Sequence, residues 1–242
     1  MLSIWAFFWY IDAMEYPIRI NKYLRDMGLA SRREADALVE AGLVFVNGKR
    51  VDSGTMVKEA DKVVLKEQKG KDIKKYQYLA YYKPRNLPTQ DLPGKTSVVT
   101  EWRAKGLYPV GRLDKSSEGL LLLTNDGRFA REVLEDTSSK YEKEYVVTVK
   151  EPLRAGVVRI FDSGMETKAL GKLLPAKAKI VNNFKIQVIL NEGKRHQIRV
   201  MFNELNYTIS SLKRVRIGTI KIGDLKSGET RSLYIKQNGS KV

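Results

Sequence analysis

The chain of 242 residues contains no cysteine and only one histidine, His196. The first absence excludes disulfides and thiolate chemistry, and the two together leave zinc without its usual ligands. No glycine-rich nucleotide-binding motif occurs either. Acidic side chains are scarce, with 28 Asp and Glu against 44 Lys and Arg, a formal net charge of +16. Such an excess predicts a polyanionic partner, most often nucleic acid; the plainer alternative is a solvated cationic surface. Long apolar runs are missing too. Leu2–Ile11 has ten residues, whereas a membrane span needs about 20, and no basic leader precedes it as in a signal peptide. Residues 1–16 are therefore read as an N-terminal extension: either it is not native, with translation then expected to begin at Met14, or it is a hydrophobic tail packed on the surface. The protein is expected in the cytoplasm, with no membrane partner.

Hydrophobic residues make up 43% of the chain, enough for a packed core. Residues 17–67 read as a first domain. Ile20, Tyr23, Leu24 and Met27 recur at helical spacing, and Gly28 is the expected stop. Ser31 and Glu34 have the spacing of a capping box, opening a second helix that buries Ala35, Leu38 and Val39 and ends at Gly42. Val44–Val46 reads as a strand, Asn47-Gly48 as a hairpin turn, and Val63–Leu65 as a closing strand. Arg19, Lys22 and Arg25 recur every three residues, Arg32 and Arg33 open the second helix, and Lys49 and Arg50 follow the turn. This is a phosphate-binding pattern or an ordinary charged face.

Residues 68–75 are polar, basic and nearly free of core residues, and read as a linker. A second domain is expected over 76–236, with 237–242 as a tail. Strands are expected at 77–82, 120–123, 144–149, 177–181 and 184–190, with a helix over 127–135 capped by Asn125 or Asp126. The class is α+β: a small α/β domain linked to a larger one with a mostly antiparallel central sheet. Residues 17–75 carry a net charge of +5 and residues 76–242 a net of +13, so both domains are expected to touch the polyanion.

The densest chemical signal is Tyr108–Gly127 (YPVGRLDKSSEGLLLLTNDG). Asp114 stands in a polar loop between two apolar segments, flanked by Gly111 and Gly119. Its neighbours Arg112 and Lys115 are expected to keep it ionised. A carboxylate at the mouth of a strand framework is a candidate nucleophile or base, or else the residue of an Asx turn.

Two resemblances sharpen these readings. Over about 17–66, the order helix, Gly-Leu-Ala-Ser-Arg-Arg-Glu-Ala, helix, Val-Asn-Gly-Lys resembles the small RNA-binding domain named after a small-subunit ribosomal protein. That likeness implies RNA contacts from Arg19, Lys22, Arg32, Arg33, Asn47 and Lys49. Over about 17–235 the chain resembles the RNA pseudouridine synthases that carry such a domain. The match rests on Gly111-Arg-Leu-Asp114 with Gly119–Gly127, Tyr82-Lys83-Pro84, Lys143-Glu144-Tyr145, Asn191–Arg199, Arg214–Gly218 and Gly228–Leu233, in that order. Asn86, Val200 and Thr230 depart from the pattern, and none is part of the implied chemistry. Asn86 stands where a glycine is usual and also tolerates positive φ.

The resemblance implies isomerisation of an everted ribosomal uridine to pseudouridine. Asp114 is then the catalytic carboxylate, acting by attack on the sugar or through a glycal. Tyr145 lies against the base, and Arg199 pairs with Asp114. Arg112 fills the space the base has left, and Lys194 and Arg195 are phosphate-binding candidates. His196 is assigned to RNA contact or structure rather than to general base catalysis. No cofactor and no metal are implied. Tyr141–Tyr145 and the following Val-Thr-Val look most like the branch that modifies large-subunit RNA, so 23S rather than 16S RNA is the expected partner of a monomeric protein. The alternatives are a noncatalytic rRNA-binding assembly factor with the same fold and a synthase acting on tRNA.

Overall fold

A computed structural model of the chain describes residues 15–27, 29–30, 32–66, 76–91, 93–135 and 140–235. The expected extension up to residue 14, the linker, the tail, the stop at Gly28, the cap at Ser31 and the side chain of Arg33 lie outside them. The rest forms two compact units divided between Lys66 and Tyr76.

In the first unit, β1 (Ile18–Arg19) runs into α1 (Ile20–Asp26), followed by α2 (Arg32–Glu40), β2 (Val44–Val46), β3 (Lys49–Arg50), β4 (Met56–Val57) and β5 (Val63–Leu65). The helical spacing read from the sequence buries Ile20, Leu24, Ala35 and Val39, and Val44, Val46 and Val57 close the core from the strands. Helix α2 ends where Gly42 turns to φ +68° and the Leu43 N–H donates back to the Leu38 carbonyl. Strands β3, β2 and β5 form one antiparallel sheet, and β1 pairs with β4. The β2–β3 turn is Asn47-Gly48, at φ +52° and +78°.

The second unit comprises β6 (Tyr78–Lys83), α3 (Val98–Arg103), β7 (Tyr108–Val110), β8 (Glu118–Thr124), α4 (Gly127–Leu134), β9 (Lys143–Val149), α5 (Gly156–Asp162), β10 (Glu166–Thr167), β11 (Gly171–Lys172), β12 (Lys177–Asn182), β13 (Lys185–Leu190), α6 (Gln197–Glu204), β14 (Ile209–Ile217), β15 (Ile220–Lys221) and β16 (Thr230–Ser232). Its main sheet has the order β12-β13-β9-β14-β8-β6-β16, with β15 on β14 and β7 on β8. Every pairing is antiparallel except β8 with β14, where Glu118 and Gly119 face Lys213 and Arg214.

The leucine run of β8 reads as a buried strand, and all four side chains, Leu120–Leu123, are fully buried. They alternate between faces. Leu120 and Leu122 pack with Phe129 and Val133 of α4, while Leu121 and Leu123 pack with Tyr81, Val98 and Trp102. A third cluster joins Val147, Ile186 and Val188 to Phe161 of α5 and to Ile198 and Phe202 of α6. Helix α3 carries a capping box in which the Thr100 N–H donates to Ser97 Oγ at 3.0 Å and the Ser97 N–H to Thr100 Oγ1 at 2.8 Å. Among the described residues, no helix is long and apolar enough to cross a membrane.

Candidate active site

The loop 111–117 connects β7 to β8, and its conformation is imposed from several sides. Gly111 (φ +74°) and Gly119 (φ +106°) take backbone angles that a side chain disfavours. Thr89 Oγ1 donates to the Leu113 carbonyl at 2.6 Å and accepts from the Leu113 N–H at 3.1 Å. The N–H of Asn86, whose φ is +69°, donates to the Lys115 carbonyl at 2.7 Å. Within the loop, the Ser117 N–H donates to the Asp114 carbonyl. Three hydrogen bonds to residues 86 and 89 and tight turns at the glycines hold Asp114 in one place.

The Asp114 carboxylate borders a cavity of about 230 Å³, whose wall includes Arg112, Tyr145, Lys194, His196 and Arg199. Residues expected from three separate stretches of sequence thus converge on one hollow. Asp114 Oδ2 lies 3.1 Å from Nδ1 of His196 and 3.7 Å from Nε of Arg199. Arg199 also donates from Nη2 to Ser117 Oγ at 2.9 Å, which fixes its guanidinium beside the loop. The groups facing the carboxylate therefore come from the start of α6, more than 80 residues downstream, and not from the sequence neighbours Arg112 and Lys115. Arg112 is exposed and donates to Gln90 Oε1 at 3.3 Å. His196 sits at φ +55° just before α6, a conformation that turns the chain into the helix.

Beneath the loop lies Lys83, fully buried, donating to the carbonyls of Pro84 (2.7 Å) and Leu87 (2.8 Å). Burial pushes its amine down to about 8; the Asp114 carboxylate opposes that shift and the Arg214 guanidinium adds to it. Tyr82, the preceding residue, is pushed up to about 12 by burial and by its hydrogen bond to Glu118 Oε2.

Arg214 is the cavity-wall residue to which the sequence reading assigned no role. It is 4% exposed. The only signal for it was its place at the head of the Arg214–Gly218 motif. Nε of Arg199 and Nη2 of Arg214 are both buried without a hydrogen-bond partner. Both atoms are closed off from solvent, and Nε of Arg199 faces the Asp114 carboxylate at 3.7 Å. Among the described residues, no three His, Asp or Glu stand together to hold a metal ion.

The other expected RNA contacts divide into free and engaged side chains. Arg19, Lys22, Arg32, Lys49 and Arg195 are exposed. Asn47 is committed to the segment that leads into β5: its Nδ2 donates to Asp61 Oδ1 at 2.8 Å, and its Oδ1 accepts from the Lys62 N–H at 2.9 Å. Lys194 donates its amine to the carbonyls of Leu170 (3.1 Å) and Lys172 (2.7 Å), which ties the cavity rim to the β10–β11 hairpin. For both, the side chain is occupied by structural hydrogen bonds.

A carboxylate held between a guanidinium and an imidazole, in a hollow shared with a tyrosine, is equipped for attack on an electrophilic carbon or for removal of a proton. Comparison with known proteins gives the family. The family model for RNA pseudouridylate synthases matches residues 77–204 and that for the S4 domain residues 18–63. The chain is 34% identical over 221 residues to the dual-specificity RNA pseudouridine synthase RluF of Escherichia coli K12, covering 89% of this chain and 75% of that protein. It is 36% identical over 231 residues to the ribosomal large subunit pseudouridine synthase B of Bacillus subtilis, covering 89% and 91%. A crystal structure of a pseudouridylate synthase shares the fold, with a TM-score of 0.65 at 24% identity over 90% of this chain and 96% of that one. The chain belongs to the RNA pseudouridine synthases that join an S4 domain to an α+β catalytic domain.

Proposed function

We propose that this protein isomerises a specific uridine of ribosomal RNA, in the large subunit, to pseudouridine, with Asp114 as the reacting carboxylate. The observation that carries the reading is the position of Asp114 in the wall of the cavity, 3.7 Å from the Arg199 guanidinium and with Tyr145 in the same wall. The relative named for the large ribosomal subunit supports the choice of RNA, since this chain covers 91% of it. The dual-specificity relative favours a second reading in which more than one RNA is a target.

The reaction breaks the N1–C1′ bond, turns the uracil and joins C5 to C1′. C5 loses a proton and N1 gains one, so the atoms balance within one nucleotide and neither oxidant nor reductant is consumed. Asp114 engages the sugar, either by bonding to C1′ or by taking the C2′ proton to form a glycal. Arg199 orients the carboxylate. Tyr145 stacks on the everted base, recovering part of the few kcal/mol that eversion costs. The exposed cations Arg19, Lys22, Arg32, Lys49 and Arg195 bind phosphates, with Arg33 beside Arg32 in the same role.

The test is carbodiimide-stop mapping of total RNA from a strain lacking the gene, complemented with wild type or with Asp114→Asn. The expected result is one lost stop in large-subunit RNA, restored by wild type alone. No lost stop in any ribosomal RNA, or a stop restored equally by the variant, would overturn the reading.

A further inference from the structure

Arg214 occupies a particular place in the register. On one side it pairs with Gly119, at the end of the Asp114 loop, and on the other with Tyr145. The β8–β14 contact is the one parallel pairing among the described strands of this sheet, and it spans only two residue pairs. Backbone pairing alone therefore aligns the two halves weakly. The Arg214 side chain adds what the ladder lacks. Its Nε donates to the Leu120 carbonyl at 2.7 Å, and its Nη1 to the Arg112 carbonyl at 3.4 Å. The guanidinium thus grips the chain on both sides of Asp114. Close approach is possible because residue 119 has no Cβ; one there would lie 2.3 Å from the Arg214 carbonyl oxygen.

We propose that Arg214 is the positioning residue that holds the Asp114 loop in register with the Tyr145 strand. The proposal rests on the reading of Asp114 as the reacting carboxylate. Thr89 and Asn86 also hold the loop, but they tie it to residues 84–91 and not to the strand that pairs with β9. Arginine suits the task for two reasons. Its planar fork serves the Leu120 and Arg112 carbonyls from two separate nitrogens held in fixed geometry, whereas a lysine would have to reach both from a single atom. It also keeps its charge when buried, in surroundings where burial already draws the amine of Lys83 downward.

The test uses the full chain and a defined RNA containing the target uridine. Single-turnover rate, RNA dissociation constant and thermal midpoint are measured for wild type, Arg214→Lys, Arg214→Ala and Asp114→Asn. Arg214→Ala is expected to lower the rate about 100-fold, the scale of a misplaced reacting group, with RNA affinity changed by less than about threefold. Added guanidinium ion is expected to restore part of that rate, and ammonium ion to restore none. Arg214→Lys keeps a cation and is expected to fold, yet to lose at least about tenfold in rate, so it carries the test if the alanine variant does not fold. A wild-type rate for Arg214→Lys, or a loss confined to RNA affinity, overturns the proposal. If Asp114→Asn keeps the wild-type rate, the underlying reading of the site fails instead.

Discussion

Replacing Gly119 with alanine isolates the strand contact on which the site depends, and a second glycine provides the reference. Gly119 (φ +106°) and Gly228 (φ +89°) lie in the same unit and both take a backbone conformation that a Cβ disfavours. That strain costs about 1–3 kcal/mol at either position. Only Gly119 adds a collision: its Cβ would lie 2.3 Å from the carbonyl oxygen of Arg214, 2.9 Å from its nitrogen and 3.1 Å from its carbonyl carbon, whereas at Gly228 nothing lies within 4 Å. These are backbone atoms, so no rotamer change relieves the clash. Overpacking of this kind costs a further 1–3 kcal/mol or so. The total for Gly119→Ala is about 2–6 kcal/mol, a large part of the roughly 5–15 kcal/mol that stabilises a typical domain. The assay is urea unfolding followed by fluorescence of Trp102, which is 7% exposed against Tyr81, with Trp5 and Trp9 changed to phenylalanine. At a slope of about 1–3 kcal/mol per molar urea, the midpoint of Gly119→Ala should fall about 1 M below that of Gly228→Ala. Equal midpoints for the two variants would refute the reasoning.

Two further predictions concern charge. The folded amine of Lys83, drawn down to about 8 from an ordinary 10.5, has lost its proton between those values while the unfolded chain still holds one. Stability attributable to Lys83 therefore rises with pH across that window, and wild type should gain about 3 kcal/mol on Lys83→Met between pH 7 and pH 10.5; a stability difference that is flat with pH contradicts this. On the RNA side, Arg32→Glu combined with Arg33→Glu should weaken binding and make the logarithmic salt dependence shallower by about 1–2, measured by filter binding across salt concentrations. An unchanged slope removes these side chains from the interface.

Local patterns made much of the fold legible. The Asn47-Gly48 turn, the buried Leu120–Leu123 strand and the apolar spacing of α1 and α2 follow from steric and solvation preferences that act over a few residues. Strand β14 was missed, although it lies between β9 and β8 in the main sheet, because Ile209–Ile217 mixes serine, lysine and arginine with its apolar residues and carries two register shifts. Helices α3, α5 and α6 span six to eight residues each, too short to show a full amphipathic period. The site was legible through its motifs, its electrostatics only in part. Local sequence offered Arg112 and Lys115 as partners of Asp114 and the family resemblance offered Arg199; the geometry brings Arg199 and, beyond that expectation, His196, because the start of α6 lies against the loop. The commitment of Asn47 and Lys194 to hydrogen bonds inside their own units is likewise a tertiary fact, invisible in composition.

The account stands most directly on the carboxylate at position 114. Single-turnover conversion of a defined target RNA by wild type and Asp114→Asn, each at saturating enzyme, tests it. The substitution keeps the shape of the side chain, removes its charge and turns one acceptor oxygen into an NH2 donor. A fall in rate of at least about a thousandfold, with RNA affinity nearly unchanged, is the predicted result. Conversion by the asparagine variant at the wild-type rate would contradict the account.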